Sequence, residues 1–82
     1  MKIEMFQDVI LTAELPEEGL CAGDVGTVVE RHDVPGMETG YSVEFFDMTG
    51  RTRLVVTLPV GFLREPTSAD RPAARTLAGL GV

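Results

Sequence analysis

Glycine and proline recur between the short apolar runs of this chain, and this punctuation constrains the fold most. Pro16 and Gly19 interrupt one region, and Pro35 and Gly36 interrupt another. Such residues favour turns, because proline fixes φ and glycine tolerates positive φ. No stretch before residue 66 has the apolar spacing of three and four residues that marks one face of a helix. A helical core is therefore improbable, and the sequence predicts an all-β domain.

Five short strands are predicted from β-branched runs and period-two alternation. The clearest strand is the run Tyr41-Ser42-Val43-Glu44-Phe45. Because successive side chains of a strand point to opposite faces, Tyr41, Val43 and Phe45 should face the core. Ser42 and Glu44 should then face away from it. The other four strands are predicted at residues 8–13, 25–32, 52–57 and 63–64.

The connections between these strands predict the architecture. A long loop follows the first strand, a tight hairpin at 47–50 joins the third to the fourth, and a helical turn at 58–62 precedes the fifth. This order is that of an SH3-like barrel, which also removes most exposed sheet edges. We therefore predict a five-stranded SH3-like barrel over residues 1–65, with an open sheet as the alternative.

The composition changes after Pro66. Residues 67–75 are small, polar and interrupted by proline, and the last apolar residues alternate with glycine. Leu77, Leu80 and Val82 are these last apolar residues. Segments of this kind lack the apolar surface that orders a chain. We predict a flexible C-terminal tail over residues 66–82.

The charge of the chain limits its partners. Thirteen acidic and seven basic residues give a net charge of −6, and residues 1–63 alone carry −7. Nucleic acids are bound by lysine and arginine that displace counterions from phosphates, so an acidic barrel repels them. The sequence predicts that nucleic acid is not a partner.

The cellular location is predicted from two further features. Cys21 is the only cysteine, so the chain cannot form an internal disulfide and fits a reducing compartment. No apolar run approaches the length of a membrane span or of a secretory signal core. We predict a cytoplasmic protein that does not interact with membranes.

No motif commits the chain to a reaction, a metal or a cofactor. His32 is the only histidine, and a metal site or general base would require other ligands to converge on it. A thiolate pair of Cys21 with His32 is the other possible nucleophilic centre, but a small half-buried loop residue explains Cys21 better. We predict that the protein is not an enzyme and has no cofactor.

Two features predict a docking surface for another protein. Acidic residues concentrate in the loop after the first strand, where they either attract a basic partner or simply keep the loop solvated. Phe46 breaks the alternation of the third strand, so it is either an exposed anchor near methionines or buried by a bulge at the strand end. The predicted contact residues are Glu14, Glu17, Glu18, Met37, Tyr41, Phe46 and Met48.

Five segments carry a resemblance to a known family, at residues 8–11, 15–20, 23–30, 41–45 and 56–59. Taken together they resemble the small bacterial family catalogued as domain of unknown function 4926. The resemblance covers residues 1–65, implies an SH3-type barrel and carries no assigned activity. It also implies a gene that lies beside other small genes, as in toxin and neutraliser pairs, and hence a neutraliser or accessory subunit for the product of an adjacent gene. The alternative is a structural domain that self-associates or forms an appendage of a larger enzyme complex.

Overall fold

Five antiparallel strands form one curled sheet in residues 3–76, the part of the chain that the computed structural model describes. The strands are β1 (Asp8–Leu11), β2 (Val25–His32), β3 (Gly40–Phe46), β4 (Thr52–Pro59) and β5 (Leu63–Arg64). Their order in the sheet is β4-β3-β2-β1-β5, so the first strand lies between the second and the last. The predicted SH3-like barrel is confirmed, and no α-helix occurs in residues 3–76.

β2 bends the sheet because it belongs to both halves of the barrel. Its first residues pair with β1, and most of its length pairs with β3. The register to β3 shifts between Val28 and Glu30. An extra residue in one strand kinks it and increases the local twist, which curls a flat sheet toward a barrel.

The core lies inside this curl, and β3 supplies its centre. Tyr41, Val43 and Phe45 are 4%, 0% and 5% exposed, so the predicted inward face of the strand is confirmed. They pack with apolar side chains from the other strands and from the first loop, defined as residues 12–24 between β1 and β2. Those partners include Val9, Leu11, Leu20, Val28, Leu58 and Leu63.

Ser42 faces away from the core, as predicted, but it is not exposed to solvent. Its exposed fraction is only 7%. His32 Nε2 lies 2.8 Å from its hydroxyl, and the hydroxyl of Thr57 lies 2.9 Å away on the other side. Because β3 has a neighbour on each side, side chains of β2 and β4 cover its outer face. Position along a single strand does not reveal this cover.

The strand ends also differ from their predicted positions. β1 ends at Leu11, two residues earlier than predicted, although the amide of Thr12 still donates to Phe62 O at 2.8 Å in the register of β5. β4 extends to Pro59, which pairs with Gly40 as the last residue of the strand. Proline is tolerated at a strand end. The predicted helical turn is a 3₁₀ turn at Val60–Phe62.

The chain after β5 folds back on the barrel as far as it is described. Arg64 donates to both carboxylate oxygens of Asp70, at 2.9 and 2.7 Å, and Asp70 also accepts the Thr67 amide. These bonds turn residues 65–70 into a compact loop. The division into a barrel over 1–65 and a tail over 66–82 stays a prediction, and Leu77, Leu80 and Val82 lie outside the described residues.

We expect truncation after Glu65 to leave a folded barrel. The described residues that it removes contribute exposed ion pairs but no residue of the core cluster, and exposed ion pairs add little stability. The melting temperature, followed by circular dichroism, should fall by a few degrees at most. Loss of the cooperative transition would move the domain boundary further along the chain.

Candidate functional site

A groove opens at one end of the barrel, between the first loop and the β3–β4 hairpin. Its volume is about 430 Å³, and residues 71–76 form its third side. We call it the acidic-end groove, because the first loop that borders it carries four acidic residues. The side chains of the barrel that line it include Leu20, Asp24, Val25, Phe46, Met48 and Leu54.

The first loop is held in shape by its own hydrogen bonds. A 3₁₀ turn at Pro16–Glu18 is closed by Gly19, whose φ of 71° is readily adopted by glycine. The carboxylate of Glu14 accepts the amide of Ala22 at 2.7 Å, and that of Asp24 accepts the amide of Cys21 at 2.9 Å. The loop therefore presents Asp24 in a fixed position.

Asp47 fixes the opposite side of the groove. Its carboxylate accepts the amide and the hydroxyl of Thr49, the amide of Arg51 and the Nε of Arg53, at distances of 2.7–3.0 Å. The hydroxyl of Thr49, followed by the amide of Arg51, holds the pKa of Asp47 far below its usual range. These bonds close the hairpin, on which Phe46 lies at the end of β3.

Arg75 binds to the first loop from the far end of the chain. Its Nε donates to Asp24 Oδ1 at 2.9 Å, and its Nη2 donates to Asp24 Oδ2 and to Gly19 O, the latter at 2.8 Å. The side chain of Asp24 is only 18% exposed in this contact. Partial burial raises the pKa of Asp24, but the hydrogen bonds from Arg75 and Cys21 outweigh it and hold that pKa below its usual range. We call this contact the arginine clasp.

The family model described as Domain of unknown function (DUF4926) matches residues 5–64. The chain belongs to this family. A search of curated proteins and a search of solved structures gave no match. The matched region runs from just before β1 to the end of β5, so it includes Asp24 of the arginine clasp and excludes Arg75.

The acidic residues predicted as contacts divide into two kinds in this DUF4926 barrel. Glu17 and Glu18 lie exposed on the 3₁₀ turn of the first loop. Glu14 is exposed as well, but its carboxylate is engaged with the amide of Ala22. Only Glu17 and Glu18 are therefore available to attract a partner without disturbing the loop.

The predicted aromatic and methionine contacts do not form one surface. Phe46 and Met48 are 44% and 91% exposed and line the acidic-end groove. A register shift does occur beside Phe46, but it leaves that side chain exposed. Tyr41 is buried in the core and presents no docking surface. Met37 is 70% exposed, but it precedes β3, whereas Phe46 is the last residue of that strand. The strand is roughly 20 Å long at the usual rise per residue, so the two side chains lie at opposite ends of it.

Met37 belongs to a second groove of about 390 Å³, which His32, Val34 and Leu58 also line. His32 is thus at the far end of β2 from Cys21, so the two cannot form a nucleophilic pair. Partial burial and the adjacent carboxylate of Glu14 raise the pKa of the Cys21 thiol, which disfavours the thiolate.

Among residues 3–76 no three metal-ligating side chains converge, and no helix is long and apolar enough to cross a membrane.

Sequence reasoning missed the arginine clasp. Asp24 was among the acidic residues of the first loop, but its partner lies 51 positions further along, in the predicted tail. No periodicity or spacing connects residues so far apart. The only available signal was charge, because residues 66–82 carry two arginines and one acidic residue next to a strongly acidic barrel.

Proposed function

We propose that this DUF4926 domain is a non-enzymatic protein-binding module that binds its partner at the acidic-end groove. The observation that carries the proposal is the grouping of three exposed apolar side chains beside an acidic loop. Val25, Phe46 and Met48 are 52%, 44% and 91% exposed, and all three line the groove with Asp24. Exposed apolar side chains grouped at one groove are typical of protein interaction sites.

The charge of the barrel supports a basic partner. Residues 1–63 carry a net charge of −7, and Glu17 and Glu18 place part of this charge, exposed, on the first loop that borders the groove. Fields of this kind accelerate encounters with positive surfaces and repel the phosphates of nucleic acids. In its most specific form, the proposal makes the partner the product of an adjacent gene, which this domain neutralises or assists. The single free thiol of Cys21 supports a cytoplasmic location.

A second candidate function is structural assembly through the free edge of β4. This strand is the outermost in the sheet order and pairs only with β3 within residues 3–76. An unpaired edge can add a strand from another chain, including a second copy of this one. Light scattering across a range of concentrations tests it: a dimer disrupted by Val55→Lys supports assembly, and a monomer at every concentration opposes it.

We expect Phe46→Ala to accelerate dissociation of a partner identified by pull-down from the native cell. Loss of an aromatic anchor from an interface costs about 2 kcal/mol, which corresponds to roughly a 30-fold increase in the dissociation rate. Surface plasmon resonance measures this rate. Phe6→Ala is the matched control, since Phe6 is 72% exposed and lines neither groove.

The charge of the first loop is tested in the same assay. Glu17→Lys with Glu18→Lys should slow association several-fold and change dissociation little, because loop charges mainly steer encounters. Glu4→Lys with Glu30→Lys makes the same charge change at exposed positions outside the loop. If the double variant of Glu17 and Glu18 binds with wild-type kinetics, and Phe46→Ala changes only the melting temperature, the docking site is not this groove.

A further inference from the structure

We infer that the acidic-end groove recognises a partner segment that carries an arginine, and that residues 71–76 of the chain itself compete with that segment. The inference rests on the proposed function and names the chemistry of the ligand. It starts from the arginine clasp, in which a guanidinium from a distant part of the chain is already bound at the groove.

The acceptors of the clasp match a guanidinium. Both carboxylate oxygens of Asp24 accept from Arg75, and Gly19 O accepts a further bond from its Nη2. A planar fork of donors satisfies such a two-oxygen acceptor, whereas the compact ammonium of lysine does not match it. The geometry therefore favours arginine over lysine.

The clasp is built by the first loop and does not depend on the tail for its shape. The amide of Cys21 holds Asp24, and the amide of Gly19 donates to Pro16 O at 3.2 Å. Both anchoring bonds lie within residues 16–24. When Arg75 leaves, the same acceptors remain in place for another arginine.

The tail fills the rest of the groove poorly. Its described residues between the two arginines are Pro72, Ala73 and Ala74, and all of them are exposed. The groove keeps a volume of about 430 Å³ between them and the apolar side chains of the barrel. A partner segment with an arginine and a large apolar side chain would make the clasp and also cover Phe46 and Met48. It therefore gains contacts that the tail lacks.

In the described part of the chain, the clasp is the only ion pair between residues 71–76 and the barrel, so a competitor has only this ion pair to replace. Tethering gives a short segment an effective concentration of about millimolar. A partner displaces the segment when the ratio of its concentration to its dissociation constant exceeds the same ratio for the tethered segment.

The experiment uses the full-length chain and a synthetic peptide with the sequence of residues 71–76. Arg75→Gln removes the guanidinium from the clasp and leaves its acceptor atoms, on Asp24 and Gly19, available to the peptide. Arg51→Gln is the matched control, because it removes the same charge from an exposed arginine that does not line the groove. Each ¹⁵N-labelled protein is titrated with the peptide, and the amide signals of Gly19, Cys21 and Asp24 are followed by NMR.

We expect the peptide to shift these signals saturably in the Arg75→Gln protein. The apparent affinity of the peptide should be several-fold lower for the wild type and for Arg51→Gln, in which the tail still occupies the clasp. A second peptide, in which both Arg71 and Arg75 are changed to glutamine, should give no response. Asp24→Asn added to Arg75→Gln should abolish binding, with a melting curve to show that the protein stays folded.

Two results of the peptide titration would overturn the inference. The first is no saturable shift in the Arg75→Gln protein up to roughly 10 mM peptide, well above the effective concentration of the tether. The second is an equal response to both peptides. A partner from the pull-down that binds Asp24→Asn as tightly as the wild type also refutes the inference but leaves the proposed function standing. Unaltered partner kinetics in the Phe46→Ala and Glu17→Lys with Glu18→Lys variants refute the docking site of the proposed function and, with it, the inference that a partner segment binds there.

Discussion

Val43→Asp should unfold the domain, whereas Glu44→Ala should leave its stability nearly unchanged. Val43 is 0% exposed and pairs with Val28 on one side and Val56 on the other. A carboxylate there would be buried without a partner, at a cost of several kcal/mol. A domain of this size has a free energy of unfolding of only about 5–10 kcal/mol, so the charge removes most or all of it.

Glu44 is the adjacent residue with the opposite orientation. Its carboxylate accepts the hydroxyl of Thr52 at 2.7 Å in an exposed hydrogen bond. Loss of such a bond costs about 1 kcal/mol or less. Val43→Ala is a third variant with an intermediate expected loss of stability. It shortens a buried side chain without adding a charge, which costs about 2–3 kcal/mol.

Urea unfolding followed by circular dichroism measures the three variants. The order of stability should be Glu44→Ala, then Val43→Ala, then Val43→Asp, with the last lacking a cooperative transition. Equal midpoints for Val43→Asp and Glu44→Ala would contradict the register of β3 on which the whole core depends.

Gly26→Ala is expected to destabilise the barrel more than alanine at Gly40 or Gly61, the other glycines of residues 3–76 that do not have a positive φ. A Cβ at Gly26 would lie 2.5 Å from Val43 Cγ1, 3.0 Å from Glu44 O and 3.0 Å from Phe45 Cε1. One of these atoms is backbone, so the strand itself would have to move. Overpacking of this kind costs about 1–3 kcal/mol, and the backbone contact favours the upper end.

Gly40→Ala is the matched control. Gly40 also lies in a strand and does not need positive φ, but its nearest neighbour for a Cβ is Leu58 O at 3.5 Å, an ordinary contact. The substitution Gly40→Ala should change the free energy of unfolding of the domain by less than about 1 kcal/mol. If the Gly26→Ala and Gly40→Ala variants have the same melting temperature, β2 and β3 can separate at Gly26 more easily than the structure indicates.

Local sequence was sufficient to predict the strands and the inner face of β3. Period-two alternation is a property of consecutive residues, so Tyr41, Val43 and Phe45 were placed in the core without knowledge of the fold. The same alternation already excluded Tyr41 from a docking surface. Its inclusion among the contact residues conflicted with its inward position, and the structure buries it.

The sequence by itself determined an acidic all-β barrel with its turns at glycine and proline, because strand and turn preferences depend on neighbouring residues. Only the tertiary structure decided which distant side chains meet. The curl of the sheet brings the first loop and the β3–β4 hairpin to one end and places Met37 at the other. Pairing of β3 with a strand on each side covers Ser42 with the side chains of His32 and Thr57. The return of residues 71–76 to the groove joins Arg75 to Asp24. These contacts follow from the path of the chain in space, which separation along the sequence does not encode.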